Sequence, residues 1–565
     1  MVSGMEKSTL RVSRPRRWDQ PFGEELLPET LVNWALTDSV LTLALSDYLQ
    51  GNTSIEEILR NDARKVDIDA GEILIRKGDY GGSVFLCMSG KLRVLLDPAG
   101  EQTLDTREKL NKKSWFEAIS QLWQNSRMPE TRAELSFSEA QQSQDSIVKK
   151  TRMLPMALPE FLTDYNSREI YPGELTGEIA ALRRSSRTAT IFAEEPSSLI
   201  EIRWQGLRDI CRRSKSLWEF LEERIRTYSL QLIFSDLPLL ESIPEQSKKS
   251  LVQEIRFERH GDENWNRDLR SSMGNRQEIL SRETLVVKSG QHLDGVFILM
   301  NGFARISKDS SGTIETRDYL RPGDVFGIDE VLSSIEEGVP RNSSSSLRCI
   351  GATDLLLIST PSFKKHIYPY INKQDLLDNF SRSRVAGKIT GGMLDFLLDH
   401  RTINGNQTMI IDLNRCTDCD DCVKACAVTH DGNPRFIREG HRHAQLMVAT
   451  ACMHCCDPVC LIGCPTGAIH RDPHSGNVII QESTCIGCGT CVDACPYDSI
   501  RTVEIRDPSG TPIIDIESGE PLLRATKCDL CIDQPSGPAC VNACPHDALH
   551  RIDFGTRDPL MSRRG

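Results

Sequence analysis

Five cysteines crowd the fourteen residues CMHCCDPVCLIGCP (452–465), although a tetrahedral or cubane metal site needs only four thiolates. Their neighbours show which are needed. Cys416, Cys419, Cys422 and Cys426 are spaced CxxCxxCxxxC, and Cys485, Cys488, Cys491 and Cys495 repeat that spacing and add Pro496. Three thiolates on one tight turn can reach three irons of a [4Fe-4S] cube, while a fourth on the following helix points to a neighbouring cube. Zinc would need only two CxxC pairs and would leave the third cysteine of each triplet and the trailing proline without a role. Cys528, Cys531, Cys540 and Cys544, followed by Pro545, have the same plan with a loop before the third ligand. After Cys452 and Cys455 a third thiol is due at 458, where Pro458 stands. Cys456 diverges from its neighbour Cys455, whereas Cys460, four residues before Cys464 and Pro465, restores the usual ending. The spacing selects Cys460 and leaves Cys456 as the surplus thiol, a bystander, with a ligand or redox-sensitive role as the lesser alternative. His430, His441 and His443 lie between the first two motifs and read as solvated loop residues.

A second chemistry is written in PGELTGEIAALRRSSRTAT (172–190). Gly177 and Glu178 precede Arg187 and Thr188 by about one short helix. Such a helix offers backbone N–H groups to an anion, an arginine pairs with a phosphate, and a glutamate accepts from a ribose hydroxyl, while the alternative is a β-roll that kept the fold and lost the ligand. A later stretch, PGDVFGIDEVL, puts Ile328 where Glu178 stands and moves the arginine, Arg341, into a lengthened loop. This second site reads as structural, with Asp329 as a possible substitute carboxylate.

These residues must be positioned by several domains, because 565 residues exceed what one hydrophobic core supports. AGEILIRKGDYGGSVFLCMSGKLRVLL (70–96) alternates apolar residues with glycine turns, as a strand meander does. ETLVVKSGQHLDGVFILMNGFARI (283–306) repeats the pattern, which indicates an internal duplication. Residues 1–50 read as an arm and entry helix, 51–230 as a first β-roll domain with a mobile insertion at about 98–168, and 231–370 as a second, degenerate one. Residues 371–405 form a helical linker in which Gly391 and Gly392 either act as a hinge or lie in a rigid tandem that merely docks a partner, and 406–565 form the cysteine-rich module. Arg16 and Arg17 lack the apolar segment of a twin-arginine signal, so the arm reads as solvated. No apolar stretch is long enough to span a membrane. The net charge of −12 disfavours nucleic-acid binding. Seventeen of the twenty cysteines fall between 416 and 544, a distribution unlike a secreted disulfide framework, and a cytoplasmic location is expected.

With CMHC, DPVC, CPTGAI, CIGCGTCVDACPYDSI and KCDLC along it, the cysteine order resembles the four-cluster iron–sulfur subunit of the dimethyl sulfoxide reductase family over residues 409–552. The resemblance implies an α+β ferredoxin-like module with four [4Fe-4S] clusters whose motifs exchange their last ligands. The cubes would be Cys416, Cys419, Cys422 with Cys544; Cys528, Cys531, Cys540 with Cys426; Cys452, Cys455, Cys460 with Cys495; and Cys485, Cys488, Cys491 with Cys464. It also implies an electron wire between a catalytic oxidoreductase subunit and a quinone-linked membrane subunit or other donor, with no substrate-converting site in this chain. The 70–96 and 172–190 segments together resemble the cyclic-nucleotide-binding domain, which implies cAMP or another cyclic nucleotide at Gly177, Glu178, Arg187 and Thr188. The expected architecture is two β-rolls with flanking helices followed by the ferredoxin-like module. The alternative function is a nucleotide or redox sensor whose clusters report without carrying flux; a transcription regulator is disfavoured by the charge and by the module that follows the rolls.

Overall fold

The computed structural model describes residues 11–12, 26–49, 53–95, 128–131, 167–183, 186–236, 243–262, 276–310, 313–371, 391–472 and 475–554. The insertion expected at 98–168 lies outside them except at 128–131 and 167–168, as do most of the arm and residues 372–390.

Period-two apolar runs build the first roll from two four-stranded antiparallel sheets. One has the order Ala63–Ile68, Ser197–Arg203, Ser83–Ser89, Leu175–Thr176; the other runs Ile73–Ile75, Thr190–Ala193, Leu92–Leu95, Ser167–Ile170. Ile75, Phe85, Leu92, Ile170 and Ile191 fill the space between them. Helices cover the outer face, among them Ile55–Asp62, which Ser54 and Glu57 start with a reciprocal capping box. The second roll is a six-stranded sheet whose long strands, Gly295–Ser310 and Ser346–Ser359, pair antiparallel through two register shifts. Such shifts bend a strand and let it serve both faces of a roll.

The cysteine-rich module centres on a four-stranded antiparallel sheet in the order Ile437–His443, Leu446–Thr450, Thr408–Asp412, Leu549–Ile552. Its first and last strands in sequence, Thr408–Asp412 and Leu549–Ile552, are neighbours, so the ends of the module close on each other. Among the described residues no helix is long and apolar enough to cross a membrane.

Helix Gly391–Asp399 joins the second roll to this module. Gly391 and Gly392 open the helix and do not interrupt it, and Leu394, Leu397 and Leu398 enter a core shared by Phe303, Tyr319 and Ile350 of the roll and Ile403, Ile410 and Val448 of the module. Charge follows the same seam: Arg305, fully buried, bonds Glu283 at 2.9 Å and Asp399 at 3.0 Å. Over its described residues the helix is a packed wedge between roll and module. The first roll reaches the module through Arg208, which donates to the Ile462 carbonyl at 2.6 Å, and through Tyr80, whose ring lies 4.7 Å from the Arg471 guanidinium. Two further segments clamp it: Arg11–Val12 pairs parallel with Ile514–Asp515, and Glu130 ion-pairs with Arg435 at 2.5 Å.

Candidate metal centres and nucleotide pocket

Each cysteine motif turns through residues in the left-handed region, φ 58° at Asp418 and 61° at Asp420, 49° at His454, 66° at Gly487 and 76° at Gly489, and 62° at Leu530. Asp, Asn and Gly adopt that conformation most easily, which explains the Asp and Gly between the ligands of the first and third motifs. Short helices follow: Asp421–Thr429 carries Cys422 and Cys426, Thr490–Ala494 carries Cys491, and Ala539–Asn542 carries Cys540.

Fifteen of the sixteen motif thiols, all but Cys419, collect in four groups, each drawn from two motifs. Cys452, Cys455, Cys460 and Cys495 line one cavity of about 380 Å³ together with Val478 and Tyr497. Cys464, Cys485, Cys488 and Cys491 line another of about 330 Å³. Burial pushes the Cys540 thiol up to about 12 against the opposing pull of Arg551, and Cys528, Cys426 and Cys531 add to the rise. Burial likewise pushes Cys422 up to about 11, with Cys544 and Cys416 as its nearby thiols. Cys419 is exposed on the turn before them, as is Cys488 at the other end, whereas Cys426, Cys528, Cys531 and Cys540 are all buried. Shared motifs link the Cys422 group to the Cys528 group and the Cys452 group to the Cys488 group, and Arg551, which donates to Cys528 Sγ and to the Cys452 carbonyl, joins the Cys528 and Cys452 groups.

These sites fit a sulfide-bearing cube on three observations. Backbone N–H groups of Arg435, Ala525 and Ala548 donate to the sulfurs of Cys426, Cys485 and Cys544 at 3.2, 3.4 and 3.3 Å, an arrangement that favours the thiolate. Four thiols face an enclosed space that no side chain fills. His454, between Cys452 and Cys455, is fully buried; its Nδ1 accepts from the Val478 N–H at 3.0 Å, so the neutral ring carries its proton on Nε2, which is enclosed without a protein acceptor.

Cys456 does not line the cavity. Its sulfur lies 2.7 Å from Asn406 Oδ1, and burial pushes its thiol up to about 12. His430 is no solvated loop residue: it is buried, with Nε2 2.9 Å from Asp529 and Nδ1 2.8 Å from the Cys426 carbonyl and 3.7 Å from its sulfur. His441 stacks on His400 with ring centroids 4.0 Å apart, and His443 on Phe396 at 5.2 Å. Those partners lie far off in sequence and left no local signal.

In the first roll a cavity of about 630 Å³ is lined by Gly177, Glu178, Arg187 and Thr188, by the apolar Ile75, Val94, Ile170 and Ile191, and by Arg224 and Tyr228. The Arg187 guanidinium donates to the carbonyls of Gly177 and Ser83, both at 2.8 Å. A Cβ at Gly177 would sit 2.7 Å from that guanidinium and one at Gly81 only 2.3 Å, so a side chain at either would displace it, and Gly177 also lies in the left-handed region at φ 82°. Burial lowers Arg187 to about 10, with Glu201 and Glu178 restoring part of its basicity. Glu178 is buried, which raises its carboxyl, and Arg224 at 3.6 Å opposes the rise. In the second roll Ile328 is buried in the core, and Arg341 lies on the surface paired with Glu337; Asp329 is exposed.

A profile of the 4Fe-4S dicluster domain family matches residues 443–554. The electron transport protein HydN of Escherichia coli is 35% identical over 172 residues, which are 28% of this chain and 95% of HydN. Formate hydrogenlyase subunit 2 of the same organism is 34% identical over 174 residues, 26% of this chain and 82% of that protein. Among solved structures, the regulatory domain of Toxoplasma gondii PKA with cAMP aligns at 14% identity and a TM-score of 0.21, covering 63% of this chain and 97% of that one. That score is low, and the description of the rolls rests on their own topology.

Proposed function

Since the chain belongs to the iron–sulfur electron-transport family of HydN, we propose that it relays single electrons through four [4Fe-4S] cubes and that its first roll binds a cyclic nucleotide. Convergence of fifteen of the sixteen motif thiols into four groups, each completed by the last cysteine of another motif, carries this reading. When bound, each cube supplies a one-electron acceptor, and its potential follows hydrogen bonding and exposure.

The chain's own residues do the rest. The cysteines hold fixed positions as thiolates, the amides of Arg435, Ala525 and Ala548 stabilise their charge, and burial of the two central groups excludes water from the middle of the path. Exposed Cys419 and Cys488 mark its ends. One electron enters at one end from a donor and one leaves at the other to an acceptor, with no bond made or broken. The partners are a catalytic oxidoreductase subunit and a quinone-linked membrane subunit or other donor; similarity to a subunit of formate hydrogenlyase supports such an assembly.

Iron analysis of anaerobically prepared protein tests the cubes. The expected content is about 16 iron atoms per chain. Cys460→Ser loses or converts one cube and Cys456→Ser keeps the iron intact. The reverse behaviour of the two variants would refute the ligand register.

A further inference from the structure

Between the two central thiol groups lie two cations that share no carboxylate. Lys527, 6% exposed, donates from Nζ to the carbonyls of Val478 and Cys528, the latter at 2.9 Å. Val478 lines the Cys452 cavity, and its N–H is held by His454. Lys527 therefore ties the wall of one site to a ligand of the next. Arg551 makes a second tie, from Cys528 Sγ at 3.1 Å to the Cys452 carbonyl at 3.2 Å and the Gln407 carbonyl at 2.8 Å. Among the described residues neither cation forms an ion pair with Asp or Glu, although Asp529, itself paired with His430 at 2.9 Å, acts electrostatically on Lys527.

The outer groups differ. Arg438, near Cys422, is paired with Asp418 and Asp420. Arg524, near Cys485, lies 3.6 Å from Glu482. Outer charge is thus balanced locally, and exposed Cys419 and Cys488 bring water close to those sites.

We infer that Lys527 and Arg551 are positioning residues for electron transfer, whose fixed positive charges keep the two buried central cubes reducible at potentials an electron from the outer cubes can reach. The physical need is plain: an electron arriving in a buried, low-dielectric site adds one negative charge without water to stabilise it, which opposes reduction. A fixed cation beside that site acts in the opposite direction, and more strongly there than at the surface. Without the pair, the middle of the wire would be a barrier between two better acceptors. This inference rests on the four-cube reading.

The test is potentiometric titration followed by electron paramagnetic resonance on the full chain and on Lys527→Met, Lys527→Arg and Arg551→Gln. The unsubstituted protein comes first: fewer than four reducible cubes would refute the four-cube reading itself. Given four, K527M and R551Q are each expected to lower two of the four midpoints by at least tenfold in the reduction equilibrium, about 59 mV for a one-electron couple, with the other two unmoved. K527R retains the charge and is expected to restore the midpoints. Midpoints unchanged in either neutral variant, an equal shift of all four, or a K527R shift as large as that of K527M would overturn the inference. Should K527M lose iron, R551Q carries the test on the same terms; loss of iron in both would make the pair structural and end the proposal.

Discussion

Arg187 shows how much a residue type at a given spacing can say. Its position after Gly177 and Glu178 marked it as a phosphate partner, and the fold sets its guanidinium between two carbonyls at the wall of a cavity of about 630 Å³. Charge-assisted hydrogen bonds contribute roughly 1.5–3 kcal/mol each, so Arg187→Ala is expected to weaken cAMP binding about tenfold or more in calorimetry. Arg341→Ala, on a surface ion pair in the second roll, is expected to leave binding unchanged. No heat of binding at millimolar cyclic nucleotide would refute the pocket. The cysteine clusters were legible for the same local reason: their spacing is set over a few residues. His430 was not, because its role comes from Asp529, about a hundred positions away in sequence.

Period-two alternation with glycine turns made both rolls legible as elements. Helix Gly391–Asp399 was legible as a helix, but its packing was not, since its three buried leucines contact two domains distant in sequence. The fragment 128–131 gave no apolar period at all; it docks through polar atoms, Glu130 to Arg435 and Asn433. At the end of the wedge helix, His400 stacks between Phe396 and His441 with its Nδ1 enclosed, and burial first, then His441, lowers it to about 4. An unfolded histidine titrates near 6.5. Between those values the unfolded chain binds a proton that the folded seam refuses, so stability is full above about pH 6.5 and falls as pH drops toward about 4. Thermal midpoints across that window should therefore decline in the unsubstituted protein more steeply than in His400→Gln; parallel declines would show that the seam does not titrate through His400.

Across the whole molecule the pocket and the wire meet within a few residues. Arg187 exchanges backbone hydrogen bonds with Gly78 and Asp79 at 2.8 and 2.7 Å, the adjacent Tyr80 stacks on Arg471, and Arg471 donates to the carbonyls of Cys455 and Cys456, both at 2.6 Å. Ligand-bound and ligand-free states that differ at Arg187 thus bear on one cube's ligand loop. Coupling energies of about 1–3 kcal/mol, or roughly 5- to 150-fold, are usual and reciprocal. Nucleotide affinity is expected to differ between oxidised and reduced protein, and Tyr80→Ala to bring the two affinities together. Equal affinities in the unsubstituted protein would separate the two functions.

The relay itself is tested most directly by anaerobic reductive titration of the full chain, counting electrons taken up and then returned to an added one-electron acceptor. The account predicts one electron for each of four cubes, all four returned. Uptake of two or fewer, or electrons accepted and not passed on, would contradict it.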